Sequence, residues 1–194
     1  MGVFTPAAFK TLQSDLERVV RVESLISPRG KDELLKLLGK AEKNVIVVES
    51  FLSRAIFEDG RVIRSLERLV SRGCSIQISF RKSENEIWPT GVDIVGLLRT
   101  ENPKLVNLKL KHDKIKLFVN KTVIQKHFYI VDGKHVCVEF SHGRDPFGPA
   151  TFFYDDEEYA RVWDEIFEEG KRDRIEIKRR MLEGGLRRRQ VYKR

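Results

Sequence analysis

Apolar residues at spacings of three and four, Phe9, Leu12, Leu16 and Val19/Val20, predict a helix from Thr5 to Val20. Ser27-Pro28-Arg29-Gly30 breaks the pattern, and Leu34, Leu35, Leu37 and Leu38 predict a second helix from about Lys31 to Ala41. The unbroken β-branched run Asn44 to Glu49 reads as a strand covered on both faces. Glu58-Asp59-Gly60 turns the chain into a third helix, Arg61 to Arg72, with Val62, Ile63, Leu66, Leu69 and Val70 in one stripe. Arg72-Gly73 ends it, and Cys74 to Phe80 alternates as a second strand. This β-α-β order predicts two parallel strands joined by a right-handed crossover.

The second half is less regular. Val92 to Leu98 reads as a short helix ended by Glu101-Asn102-Pro103, and Leu105 to Leu110, Ile115 to Phe118 and Gln125 to Val131 read as strands. Asp132-Gly133 is a hairpin signal leading into a strand from His135 to Phe140. Thr151 to Tyr154 suits a last strand. Asp155 to Glu169 is an amphipathic helix with Tyr159, Val162, Trp163, Ile166 and Phe167 on one side, and Gly170 ends it. No repeat of 20 to 50 residues occurs. The fold class is α/β, a mixed sheet with helices on its faces.

Composition changes this picture at one end of the chain. Of 194 residues, 41% are hydrophobic, enough for a sizeable core, and the formal net charge is +8. Residues 171 to 194 hold eleven bases against three acids, which is the whole excess; the first 170 residues are neutral. No apolar stretch approaches the about 20 residues that span a bilayer, and the N-terminus lacks the pattern of a secretory signal. Cys74 and Cys137 have no CxxC partner, which excludes a zinc ribbon and fits buried thiols in a cytoplasmic protein. Only nine Asn and Gln accompany this abundant charge, a thermophile-like balance.

The string Gln125-Lys126-His127-Phe128-Tyr129-Ile130-Val131-Asp132-Gly133-Lys134 resembles the signature region of the phospholipase D superfamily. That family carries His-x-Lys, four residues and then Asp, on a strand entering a hairpin. Lys31 to Arg81 resembles the family's opening unit, and the YxxxWxxIF helix its closing one. The resemblance implies a phospholipase D-like domain over residues 27–170, preceded by a helical extension (1–26) and followed by a basic helical or disordered tail (171–194). It also implies a catalytic set in which histidine attacks phosphorus and lysine holds the phosphate.

Against that pattern the set is degenerate. With Asp132 as anchor, the nucleophile position falls on Gln125, a carboxamide that cannot attack a phosphodiester, and the lysine position on His127. The family's small polar pair falls near Phe140 and His142. Asp132 alone matches, and Asp-Gly has a simple structural use in a tight turn. His112-Asp113-Lys114 offers another His-x-Lys, but Val119 stands where its acid would be, and the stretch Lys109 to Lys116 suits a solvated strand edge. His127, His135 and His142 could meet across adjacent strands, yet their spacing demands no metal. No catalytic residue, metal or cofactor is therefore expected. A degenerate domain of this kind is similar to the C-terminal effector domain of archaeal TrmB-type transcription regulators, which implies sugar or effector binding and dimerisation. Too few residues precede the domain for a winged helix.

Lys171, Arg172, Arg174, Lys178, Arg179, Arg180, Arg187, Arg188, Arg189, Lys193 and Arg194 suit phosphate backbones, and Tyr192 suits stacking on a base. Arginine-rich segments of this kind bind RNA without a major-groove element. The expectation is a non-enzymatic, homodimeric regulatory or scaffolding protein whose tail binds nucleic acid, RNA or a ribonucleoprotein such as the ribosome before duplex DNA, with no membrane partner. The alternatives are a phosphodiesterase or nuclease with a displaced nucleophile, and a TrmB-like small-molecule sensor.

Overall fold

A computed structural model of the chain describes residues 18–49, 52–80, 94–120, 127–139 and 148–183. Among these residues the elements run β1 (Val19–Val22), α1 (Pro28–Gly39), β2 (Asn44–Glu49), α2 (Arg54–Phe57), α3 (Gly60–Ser71), β3 (Ser75–Phe80), α4 (Ile94–Glu101), α5 (Pro103–Lys111) and β4 (Ile115–Asn120). They continue with β5 (His127–Val131), β6 (His135–Glu139), β7 (Ala150–Phe153), α6 (Glu157–Glu169), a 3-10 turn (Gly170–Asp173) and β8 (Arg174–Glu176). The strands form one mixed sheet in the order β1-β7-β6-β5-β2-β3-β4-β8. β2 runs parallel to β3, and β3 to β4, as the β-α-β pattern predicts; the other pairs are antiparallel. No described helix is long and apolar enough to cross a membrane.

Alternation along the strands divides the core between two faces. Val45 and Val47 of β2 join Tyr129 and Val131 of β5 under the packing faces of α1 to α5. Ile46 and Val48 point the other way, with Phe128 and Ile130, onto Ala160, Trp163 and Phe167 of α6. Both faces being covered, β2 and β5 read as continuous apolar runs. The helices start where local chemistry starts them. The Ser27 hydroxyl accepts from Gly30 N–H at 3.0 Å, with Pro28 in the first turn, so α1 begins three residues before the periodicity does. Asp59 accepts from Arg61 N–H at 2.8 Å to cap α3.

Three expectations are corrected. Val19 to Val22 do not end a helix but form the edge strand β1, paired with β7; three valines in four residues favour the pleated state, and residues 5–17 of the predicted helix lie outside the described residues. Leu105 to Leu110 is helical, because Pro103 sits in the first turn, where its missing N–H costs nothing, and Leu105 and Leu108 share a buried face. His112 accordingly follows a helix rather than edging a strand, its N–H bonded to Leu108 C=O. The segment from Lys171, expected as tail, also enters the fold: β8 pairs with β4, and Ile177 and Leu182 are buried at 2% and 0% exposure.

Candidate functional site

β2, β3, β4 and β6 end, and β5 begins, at the same end of the strands. The last residue of β2 is Glu49, the first of β5 is His127 and the last of β6 is Glu139. The register pairs His127 with Glu139, and Val48 with Phe128, so the three side chains leave adjacent strands on the same face. All three are buried, at 2% to 3% exposure. His127 Nδ1 stands 3.4 Å from Glu139 Oε2 and 3.6 Å from Glu49 Oε2. The Tyr129 hydroxyl, two residues along β5 on the same face, donates to Glu49 Oε1. Burial, opposed by the His127 charge but reinforced by Glu139, pushes the Glu49 carboxyl up to about 8, so it holds its proton at neutral pH. Burial also raises the Tyr129 phenol and the neighbouring Cys137 thiol well above their ordinary values.

The sequence pointed to His127 but not to its partners. Both missed acids close strands whose two faces are buried, NVIVVE and HVCVE; an acid at the end of such a run was the available signal. Gln125 and His142 lie outside the described residues, as does Phe140. His135 does not join His127: it opens β6 at the far end of the hairpin, where its Nδ1 accepts from Asp155 N–H at 3.0 Å and burial lowers its basicity. Asp132 has the turn role. With φ of 53° there and 68° at Gly133, the hairpin has the two left-handed residues that a type I′ turn needs. The Asp132 carboxylate accepts from Glu42, Lys43 and Asn44 N–H at 2.7, 2.9 and 2.8 Å, which outweighs partial burial and holds it below the usual carboxylate range.

A second region lies along β8. Ile177 N–H bonds to Leu117 C=O at 2.8 Å, and the β4–β8 register carried one step on sets Lys178 beside Lys116. Arg179, in a helical turn over residues 179–183, pairs with Glu183 at 2.8 Å and reaches Asp113 at 3.9 Å. Exposed Lys178, Arg179 and Arg180 thus share one sheet edge with exposed Lys116, while the Lys114 ammonium donates to Gly73 C=O at 2.8 Å and the Lys111 ammonium pairs with Glu67 at 3.8 Å. Arg172 is also exposed, and Lys171 pairs with Glu168. Arg174 is committed to the fold: its guanidinium lies 3.7 Å over the Phe167 ring, donates to Phe167 C=O, and burial lowers it to about 10. Arg187, Arg188, Arg189, Tyr192, Lys193 and Arg194 lie outside the described residues.

No protein-family model matches the chain, and no curated protein does. Solved structures do. Nuc from Salmonella typhimurium, a phospholipase D family member, superposes with a TM-score of 0.57 at 15% identity, over 82% of this chain and 97% of that one. NucT from Helicobacter pylori gives 0.52 at 14%, over 82% and 98%. The fold is phospholipase D-like. The same phospholipase D-like fold relates the chain to TrmBL2, an archaeal chromatin protein whose structure shows a novel mode of DNA binding; the TM-score is 0.62 at 13% identity, over 91% of this chain and 57% of that one. The resemblance drawn from Gln125 to Lys134 therefore extends to the phospholipase D-like architecture as a whole.

Proposed function

We propose that this protein is a non-enzymatic phospholipase D-like module, homodimeric and cytoplasmic, that binds nucleic acid along the β4–β8 edge and its basic C-terminal extension. The observation that carries this reading is that Lys116 and the exposed stretch Lys178 to Arg180, far apart in sequence, share one sheet edge. The chain beyond Glu183 adds five bases and no acid. Several cations along a line suit a phosphate backbone through counterion release. The DNA binding of TrmBL2 supports a nucleic-acid partner for this fold. RNA or a ribonucleoprotein is favoured by the arginine-rich end, whose Tyr192 suits stacking on an unpaired base.

The non-enzymatic part rests on charge. A phosphodiester needs cations where it reacts, and the cluster around His127 presents two buried carboxyl groups instead, one of them holding its proton at neutral pH. The homodimeric part rests on the resemblance to TrmB-type effector domains, which implies dimerisation.

Binding of single-stranded and duplex RNA and DNA, followed by anisotropy at several salt concentrations, tests the reading. Lys178→Ala/Arg179→Ala/Arg180→Ala should lower the slope of log K against log salt by roughly 2 to 3 if each cation meets a phosphate. A chain stopped after Glu183 should lose more than half of its affinity for RNA. Unchanged affinity and slope in both variants would remove the proposal, and duplex DNA preferred over RNA would remove its finer part.

A further inference from the structure

We propose that Glu49, His127 and Glu139 form a binding site for a single divalent first-row transition-metal ion. The site is independent of the basic edge and of the nucleic-acid reading.

The separations are those of ligands rather than of ion pairs. A charge-assisted N–H···O⁻ bond closes to about 2.7–2.9 Å. His127 Nδ1 instead stands 3.4 and 3.6 Å from one oxygen of each glutamate. Ligand atoms on a tetrahedral ion with bonds of about 2.1 Å lie about 3.4 Å apart. The three donor atoms all lie within 4.8 Å of one another. Their backbones are locked in a sheet by the His127–Glu139 pair and its neighbours, so the donors are held without a flexible loop.

Two further observations point to a cation. Glu139 Oε1 is buried and accepts no hydrogen bond among the described residues, although a carboxylate oxygen in such a place ordinarily does. Among the described residues no Lys or Arg pairs with either glutamate, and the groups that face them are the His127 imidazole and the Tyr129 hydroxyl. A divalent ion would balance two carboxylates. The Tyr129 hydroxyl on Glu49 Oε1 acts as an outer hydrogen bond that orients a ligand. One imidazole and two carboxylates suit zinc, cobalt, iron or manganese, and not a soft ion such as copper(I).

The test uses the full chain, stripped with a chelator and titrated with Co²⁺, Zn²⁺ and Mn²⁺. One equivalent of Co²⁺ should give the intense visible absorption of a tetrahedral site, and Zn²⁺ should displace it and raise the melting temperature by several degrees. Glu139→Gln and His127→Gln, checked for folding by circular dichroism, should each weaken binding at least tenfold, whereas His135→Gln should not change it. If those variants do not fold, the wild-type spectrum decides: weak absorption typical of an octahedral, water-rich ion overturns the proposal. So does folded wild-type protein that binds none of the three ions at stoichiometric concentration, or binding unchanged in both ligand variants.

Discussion

Replacing Leu182 by alanine tests whether the end of the chain belongs to the core. Leu182 is fully shielded and joins the same cluster as Leu117 and Val119 of β4, although it lies twelve residues past the glycine that ends α6. Truncating a buried leucine costs about 2–5 kcal/mol, the transfer free energy of the lost methyl groups plus the cavity left behind. In a chain of this length each kcal/mol moves the melting temperature by about 2–4 °C, so Leu182→Ala should melt roughly 4–20 °C below wild type. Calorimetry or circular dichroism at a fixed scan rate measures it. Stopping the chain after Gly170, which removes Ile177, Leu182 and β8 together, should lower the melting temperature at least as far. Leu182→Ala within about 1 °C of wild type would refute the reasoning. The comparison also governs the nucleic-acid experiment, because binding lost on stopping after Gly170 would report a damaged fold rather than missing contacts.

Other outcomes follow from single residues. Asp132→Asn should cost about 1–2 kcal/mol at pH 7 in urea denaturation, less than a fully buried charge-assisted set because Asp132 is partly exposed. Its folded pKa lies below the unfolded value, so this stabilisation is present above the unfolded pKa of about 3.9 and disappears as pH falls through the folded one. The gap between wild type and Asp132→Asn should accordingly narrow on acidification; a constant gap from pH 7 to pH 2 would contradict the assignment. Gly30→Ala should be severe, since a Cβ there would lie 1.9 Å from Ser24 C=O. Displacing that backbone costs upwards of about 1–3 kcal/mol, and a wild-type melting curve would show that the packing of α1 is misdescribed.

The fold was legible where one pattern dominated. Asn44 to Glu49, Ser75 to Phe80, the Asp132-Gly133 turn and the helices around Leu66 and Trp163 stand where periodicity or turn chemistry put them. It failed where two periods fit the same residues. LVNLKL alternates well enough for a strand, and only Pro103 just before it, a helix-starting residue, distinguishes the two. At the candidate site, His127 carried a visible motif position, but Glu49 and Glu139 are brought to it by strand order, which no local window contains. The tail was misjudged because eleven bases outweigh its few apolar residues, Ile175, Ile177, Met181 and Leu182, and no local window shows that the sheet edge buries Ile177 and Leu182.

The sheet takes one edge strand from each end of the described chain: Val19 faces Phe153, and Asn120 faces Arg174. During synthesis, β1 must therefore wait unpaired until β7 has been made, and β4 keeps an open edge until β8 follows. Pairings between such distant segments make folding slow, and they leave unfinished edges available to other chains in the meantime. The nascent protein is thus most exposed to misassociation before β7 appears, while β1 is unpaired and the edge of β4 is open.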